Sequence, residues 1–279
     1  RGLVGSEMCI RDSCGTGEFH ALGLSEFGEI VRRTVETVAG RVPVFAGAGG
    51  SLVQAKEFAA SAKANGANGI LLLPPYLVTM PPAGLVEYTR AVAQTTDLPV
   101  IVYNRSNAVF DEAGAVAVAQ LPTVIGFKDG TGDLDNVSRI VIAVKAALVG
   151  TGKDFLFFNG LPTAEITQQA YRALGVTLYS SATFAFAPEL ALAFYNSLET
   201  GNTELTEALL REFFHPLVRL RNKVPGYAVS LVKEGVRMEG IAAGPVRAPL
   251  VDLTDEHRAE LARITAAGRA VLTDSLATV

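Results

Sequence analysis

Tryptophan is absent from this chain of 279 residues, and cysteine and histidine are scarce. Each shortage argues against a class of chemistry. The two cysteines, Cys9 and Cys14, have no second pair and no histidine cluster at metal-ligand spacing, so neither a zinc site nor a disulfide framework is expected. His20, His215 and His257 are scattered and read as surface residues. No metal and no cofactor is expected. An excess of positive charge is also missing: the formal net charge is −4, which leaves no basic footprint for nucleic acid. Long apolar runs are lacking too. Gly69–Leu73 is stopped by Pro74-Pro75, far short of a membrane span. No charged stretch followed by an apolar core opens the chain, so no secretory signal is read and the expected compartment is the cytoplasm.

What the chain does have is a repeat of short β-branched or aromatic runs alternating with amphipathic stretches. Strands are predicted at Val42–Gly47, Gly69–Leu73, Val100–Asn104, Val124–Lys128, Phe155–Asn159 and Val176–Ser180. Helices are predicted between them near Ser25–Ala39, Ser51–Asn65, Ala83–Thr96, Asp111–Gln120, Asp133–Val149 and Pro162–Leu174. Several open on a Ser or Asp cap, and Asn65-Gly66, Gly150 and Gly175 supply stops. Strands recurring with intervening helices imply βαβ units and a parallel sheet. All-apolar strands of this kind suit the interior staves of a (β/α)8 TIM barrel better than an open sheet. A doubly wound sheet is the competing architecture. Gly47-Ala48-Gly49-Gly50 only approaches a dinucleotide fingerprint, and no complete Gly-x-Gly-x-x-Gly follows a strand.

After Ser180 the pattern turns helical: Pro188–Thr200, Glu204–Lys223, Pro225–Met238 and Asp255–Leu272. These read as the last barrel helix and a C-terminal helical extension over residues 183–279, with the barrel over 14–182. The start is anomalous. Arg1–Asp12 shows no usable strand–helix pattern, so residues 1–13 are read as a non-native or disordered segment. The barrel is accordingly expected to lack its native first strand and helix, with only a remnant of the second strand before Cys14.

One residue breaks the apolar pattern in an informative way. Lys128 stands at the C-terminal end of the strand Val124-Ile125-Gly126-Phe127, and one strand–helix unit earlier Tyr103 holds the matching place. Strand side chains alternate with period two, so the two can converge at one mouth of a parallel sheet. Gly126 leaves room below the lysine. A lysine in an apolar pocket has its charged form disfavoured, which makes the amine a nucleophile toward carbonyls. A neighbouring tyrosine can carry protons. The pair suggests Schiff-base chemistry, set against the plainer reading of a solvated lysine at a strand end.

Cys14-Gly15-Thr16-Gly17-Glu18-Phe19 falls where a barrel strand hands over to its helix. Glycine there lets backbone amides approach an anion such as a carboxylate. Together with Tyr103-Asn104 and Gly126-Phe127-Lys128-Asp129-Gly130-Thr131-Gly132-Asp133, this segment resembles the dihydrodipicolinate synthase / N-acetylneuraminate lyase superfamily, from Cys14 to the C-terminal extension. The resemblance implies a (β/α)8 enzyme that forms a Schiff base with an α-keto acid. It implies Lys128 as the Schiff-base lysine and Tyr103 as proton shuttle. It also implies Gly15 and Thr16 as the cradle of the α-carboxylate, with Asn159 and Ser180 at the ends of the last two staves. A homotetramer or homodimer is implied, with no nucleic acid or membrane partner.

Within the superfamily, the synthases usually carry Pro-Ser-Arg-Thr after the Tyr-Asn and paired tyrosines where this chain has Tyr76-Leu77. Here Arg105-Ser106-Asn107-Ala108 follows instead. The combination resembles a branch that removes water and carbon dioxide from a small keto-diacid substrate. A diacid needs a second carboxylate partner, and Arg105 is the candidate because guanidinium binds carboxylate bidentately. A solvent-facing loop arginine is the alternative. An aldolase or synthase acting on pyruvate, and an inactive truncated barrel, are the competing functions.

Overall fold

The computed structural model describes residues 10–277. Seven strands form one sheet in chain order: β1 Ile10–Asp12, β2 Val44–Ala48, β3 Gly69–Leu72, β4 Val100–Asn104, β5 Val124–Asp129, β6 Leu156–Asn159 and β7 Leu178–Tyr179. Every neighbouring pair from β1 to β6 is parallel. Strands β2, β3 and β4 are buried at every position, as expected of staves covered on both faces. Three residues of the opening segment expected to stand outside the fold therefore enter it, since Ile10–Asp12 pairs with Val44, Phe45 and Ala46. Residues 1–9, Cys9 among them, lie outside the described residues.

Helices α1 Leu24–Val38, α2 Leu52–Ala64, α3 Pro82–Ala93, α4 Glu112–Ala119 and α5 Leu134–Leu148 connect successive strands. Their starts follow local chemistry. Ser51 and Gln54 form a reciprocal capping box at α2. The Asp111 and Asp133 side chains accept from the backbone amides of Gly114 and Asn136, capping α4 and α5. Asp133 thereby ends the Gly130–Gly132 turn that follows Lys128.

Two compact units emerge. The first comprises residues up to Leu161 together with Tyr171–Leu178, and the second comprises Pro162–Ala170 with Tyr179–Val279. The division differs from the expected one in giving Pro162–Ala170 and Tyr179 onward to the second unit. The first unit's core is the strand interior plus the inward faces of the helices, with Ile70, Leu71, Ile101, Phe127 and Ile140 almost fully buried. The second is built by α7 Pro188–Thr200, α8 Thr203–Leu209, α9 His215–Arg221, α10 Tyr227–Met238 and α11 Asp255–Ala277. They close around Phe194, Phe213, Phe214, Leu220 and Tyr227. The single helix expected over Glu204–Lys223 is interrupted by a π-turn at Leu210–Phe214. Pro216 follows directly and has no amide to offer to the preceding turn, which accounts for the break in ordinary helical bonding.

In the first unit, Phe19 anchors the glycine-bearing loop between β1 and α1. Its ring lies 4.7 Å from that of Phe58 on α2 and 6.3 Å from that of Phe27 on α1, and its side chain is 4% exposed. Phe19→Ala is expected to destabilise the protein by about 3–5 kcal/mol, the range for emptying a phenylalanine site. Urea denaturation checks it, and a loss below 1 kcal/mol would show that the loop is not anchored by this ring.

Candidate active site

The ends of β4 and β5 meet in register, with Tyr103 opposite Lys128 and Asn104 opposite Asp129. The shared parity read from the sequence is thus realised as direct partnership. Lys128 is 7% exposed and Tyr103 5%. The Lys128 Nζ lies 4.2 Å from the centre of the Tyr103 ring. An aromatic face attracts a cation at that distance, and an iminium formed on Lys128 would carry its charge to the same place.

Gly160, just past β6, closes the arrangement. The Tyr103 hydroxyl donates to the Gly160 carbonyl at 2.7 Å, and the Gly160 amide donates to the Asp129 carbonyl at 2.5 Å. A Cβ on residue 160 would stand 2.5 Å from Lys128 Cε and 2.8 Å from the Asp129 carbonyl oxygen. Only glycine leaves the channel in which the lysine's alkyl chain lies. Gly130 has a similar role against the Tyr103 ring, 2.8 Å from where its Cβ would be. Sequence reading gave Gly160 no role beyond following Asn159 at a strand end; the spacing of one glycine per strand end was the available signal.

Arg105 follows Tyr103 and is exposed, with Nη1 3.5 Å from the Tyr103 hydroxyl and the guanidinium carbon 5.7 Å from the ring centre. A Cβ on Gly15 would lie 3.8 Å from the same Nη1, so the glycine loop and Arg105 border one another. Thr16 is exposed at the turn of that loop. Asn159 is fully buried, opposite Asp129, with its Oδ1 accepting from the Leu161 amide at 3.2 Å. Gly15, Tyr103, Arg105, Lys128 and Asn159 thus all belong to the first unit. Ser180 belongs to the second, where it follows β7 and is half-buried.

Burial raises the Tyr103 phenol above its ordinary value; Arg105 opposes this by charge and hydrogen bonding, while Asp129 and Cys14 add to it. The phenol is therefore a proton carrier that starts neutral. Beside a primary amine and a guanidinium, this group of side chains can form and protonate a carbon–nitrogen double bond and hold an acid.

The second unit holds a titratable group the sequence did not single out. Glu165 is 1% exposed, in a turn of 3-10 helix at Ala164–Thr167. Ser181 donates to its Oε1 at 2.5 Å, and Oε2 has no partner among the described residues. Arg221 holds the preceding backbone, donating to the Thr163 hydroxyl at 2.9 Å. Burial pushes the Glu165 acid up to about 7 from an ordinary 4.5, against the lowering effect of the Ser181 hydrogen bond.

Known proteins resemble this chain over most of its length. The model of the dihydrodipicolinate synthetase family matches residues 7–267. A probable 5-dehydro-4-deoxyglucarate dehydratase of Streptomyces griseus is 53% identical over 99% of this chain and 86% of its own length. One from Ralstonia nicotianae is 45% identical over 90% and 79%. Among solved structures, dihydrodipicolinate synthase from Oceanobacillus iheyensis superposes with a TM-score of 0.84 at 29% identity, covering 95% of this chain and 86% of that one.

Two outcomes test the site's construction. Gly160→Ala should lower kcat/KM by about 100-fold, the cost of an ångström-scale misplacement of a reacting group, while circular dichroism stays unchanged; wild-type turnover would refute the channel. Glu165 has a folded-state pKa above its unfolded one, so its favourable contribution is complete below pH 4.5 and is lost as pH rises through about 7. Glu165→Gln should abolish that loss and gain roughly 3 kcal/mol over the wild type at pH 8, read from urea denaturation at pH 5 and pH 8.

Proposed function

The chain belongs to the dihydrodipicolinate synthetase family, and from that membership we propose that it is a 5-dehydro-4-deoxyglucarate dehydratase, a decarboxylating lyase. The observation that carries the mechanism is the Lys128 amine lying over the face of Tyr103, whose hydroxyl is held by Gly160. The fold in this reading is a (β/α)8 barrel. The assembly in this reading is a homotetramer or homodimer, as the family resemblance implies.

The steps follow from the residues. The Lys128 nitrogen adds to the ketone carbon next to one carboxylate. The ketone oxygen leaves as water, taking its protons by way of the Tyr103 phenol, and a protonated carbon–nitrogen double bond remains. Its positive charge acidifies the adjacent CH2. A proton leaves there, and the electron pair expels the hydroxyl on the next carbon as a second water once that group is protonated. The product is an iminium conjugated with a carbon–carbon double bond. The bond to the distal carboxylate then breaks, and its electron pair runs through the conjugated system to the iminium nitrogen, releasing carbon dioxide. Protonation on carbon and hydrolysis regenerate the amine and free 2,5-dioxopentanoate.

In this scheme the Gly15 and Thr16 loop takes the carboxylate next to the ketone, and Arg105 takes the distal one. Asn159, expected beside the substrate, stands in register with Asp129 on the side of the sheet away from Lys128, so this scheme gives it no contact with the substrate. A pyruvate aldolase would not need Arg105, which is why the diacid is preferred.

Lys128→Ala should abolish both borohydride trapping and carbon dioxide release from 5-dehydro-4-deoxyglucarate. Tyr103→Phe should keep the trappable lysine and slow turnover by roughly two to four orders of magnitude, the range for one acid–base group. Arg105→Ala should mainly raise KM, because it holds the distal carboxylate before and during reaction. Mass spectrometry of the trapped adduct and a product assay decide. Turnover by Lys128→Ala would end the Schiff-base reading.

A further inference from the structure

Asp129, the residue after Lys128, is 3% exposed, and both of its carboxylate oxygens are doubly engaged. Oδ1 accepts from the Asn104 amide nitrogen at 2.7 Å and from the Thr131 hydroxyl at 2.8 Å. Oδ2 accepts from the Gly132 amide at 3.1 Å and from the Tyr171 hydroxyl at 2.5 Å. Four donors occupy the four lone-pair directions of a carboxylate, the arrangement of an ionised acid that accepts only. The donors come from β4, from the turn after β5, and from Tyr171 on α6 Gln168–Ala173, which is itself fully buried. Asn104 is spoken for as well. Its Oδ1 accepts from the Phe110 amide at 2.9 Å, and the Phe110 carbonyl accepts from Asn136 of α5 at 3.1 Å.

Successive strand residues face opposite ways. Asp129 and Asn104 therefore tie β5 to β4 on the side away from Lys128 and Tyr103, one residue beyond each. We propose that Asp129, locked in place by Tyr171, is a positioning residue for the lyase reaction: it fixes the two strand ends so that Lys128 and Tyr103 meet, and it sets a carboxylate one residue beyond the lysine. This rests on the Schiff-base reading of Lys128. The direction of the Tyr103 shift agrees, since Asp129 adds to the raising effect of burial while Arg105 opposes both. The other titratable groups around the two residues are Cys14, Lys128, Tyr171 and Asp133, and the substitutions below leave all but Tyr171 in place.

The test compares Asp129→Asn and Tyr171→Phe in the full chain, with pyruvate and borohydride for trapping and 5-dehydro-4-deoxyglucarate for turnover. Both variants should still acquire the trapped adduct. Asp129→Asn removes the negative charge, so the alkaline limb of the kcat profile should move to lower pH. Tyr171→Phe should lower kcat about tenfold, through misplacement of Lys128 and Tyr103, with KM within twofold. A merely structural Asp129 would lower Tm and leave the alkaline limb unmoved, and that result overturns the proposal. Should Asp129→Asn fail to fold, Tyr171→Phe decides: an unchanged kcat overturns it. Lys128→Ala is the control. If that variant is still trapped, the Schiff-base reading has failed; if it is not, an unmoved limb in Asp129→Asn counts against this inference alone.

Discussion

The site depends on one register, that of β4 against β5. Tyr103 meets Lys128 because Val102 meets Phe127 and Ile101 meets Gly126, each pair held by the backbone ladder. Slippage of either strand by a single residue would turn its own side chain, Tyr103 or Lys128, to the other face and bring Asn104 or Asp129 in its place. The alternation that turns Val102 and Phe127 to one buried face is the same alternation that aims the lysine and the phenol to the other. A register irregularity between Val100 and Ile101 sits at the far end of the pair, where no functional residue is affected.

Placing that chemistry at strand ends has an energetic consequence. Asn104, Lys128, Asp129 and Asn159 are all buried polar groups, and burial without partners would cost roughly 1–3 kcal/mol each, more for the charges. The structure meets this with local donors. Asp129 takes hydrogen bonds from Asn104, Thr131, Gly132 and Tyr171, and Asn159 accepts from Leu161. Thr131 and Gly132 belong to the Gly-Thr-Gly turn that also places the cap Asp133 of α5. One short motif therefore satisfies a buried anion, starts a helix and leaves room at Gly130 for the tyrosine ring.

The sequence made these features legible to different degrees, for physical reasons. β4 was read to its bounds because four consecutive apolar or aromatic residues, Val100 to Tyr103, end abruptly at the polar pair Asn104-Arg105. Lys128 and Tyr103 could be paired on paper since period-two alternation is a property of the backbone alone. What could not be read were contacts made across long separations in the chain. The Tyr103 hydroxyl finds a carbonyl 57 residues on, and Tyr171 reaches Asp129 from 42 residues away. Glu165 looked like any helical glutamate, since a residue's burial is set by what packs over it. The π-turn at Leu210–Phe214 was hidden as well, because Leu205, Leu209, Phe213 and Leu217 continue a helical spacing straight through it.

The loop that distinguishes this chain from the synthase pattern is fastened by hydrogen bonds of its own. Arg105 and Ala108 exchange backbone hydrogen bonds at 3.0 Å in each direction, and Ser106 between them takes a left-handed conformation with φ of 58°. Asn107 reaches across to the segment after β3, donating to the Pro75 carbonyl at 2.7 Å and the Val78 carbonyl at 2.5 Å. An exposed arginine ordinarily loses much of its rotamer freedom on binding a ligand. Here the backbone beneath it is fixed before any substrate arrives, and Nη1 already leans on the Tyr103 hydroxyl. The turn at Ser106 and the reach of Asn107 thus fix the backbone from which the Arg105 side chain extends.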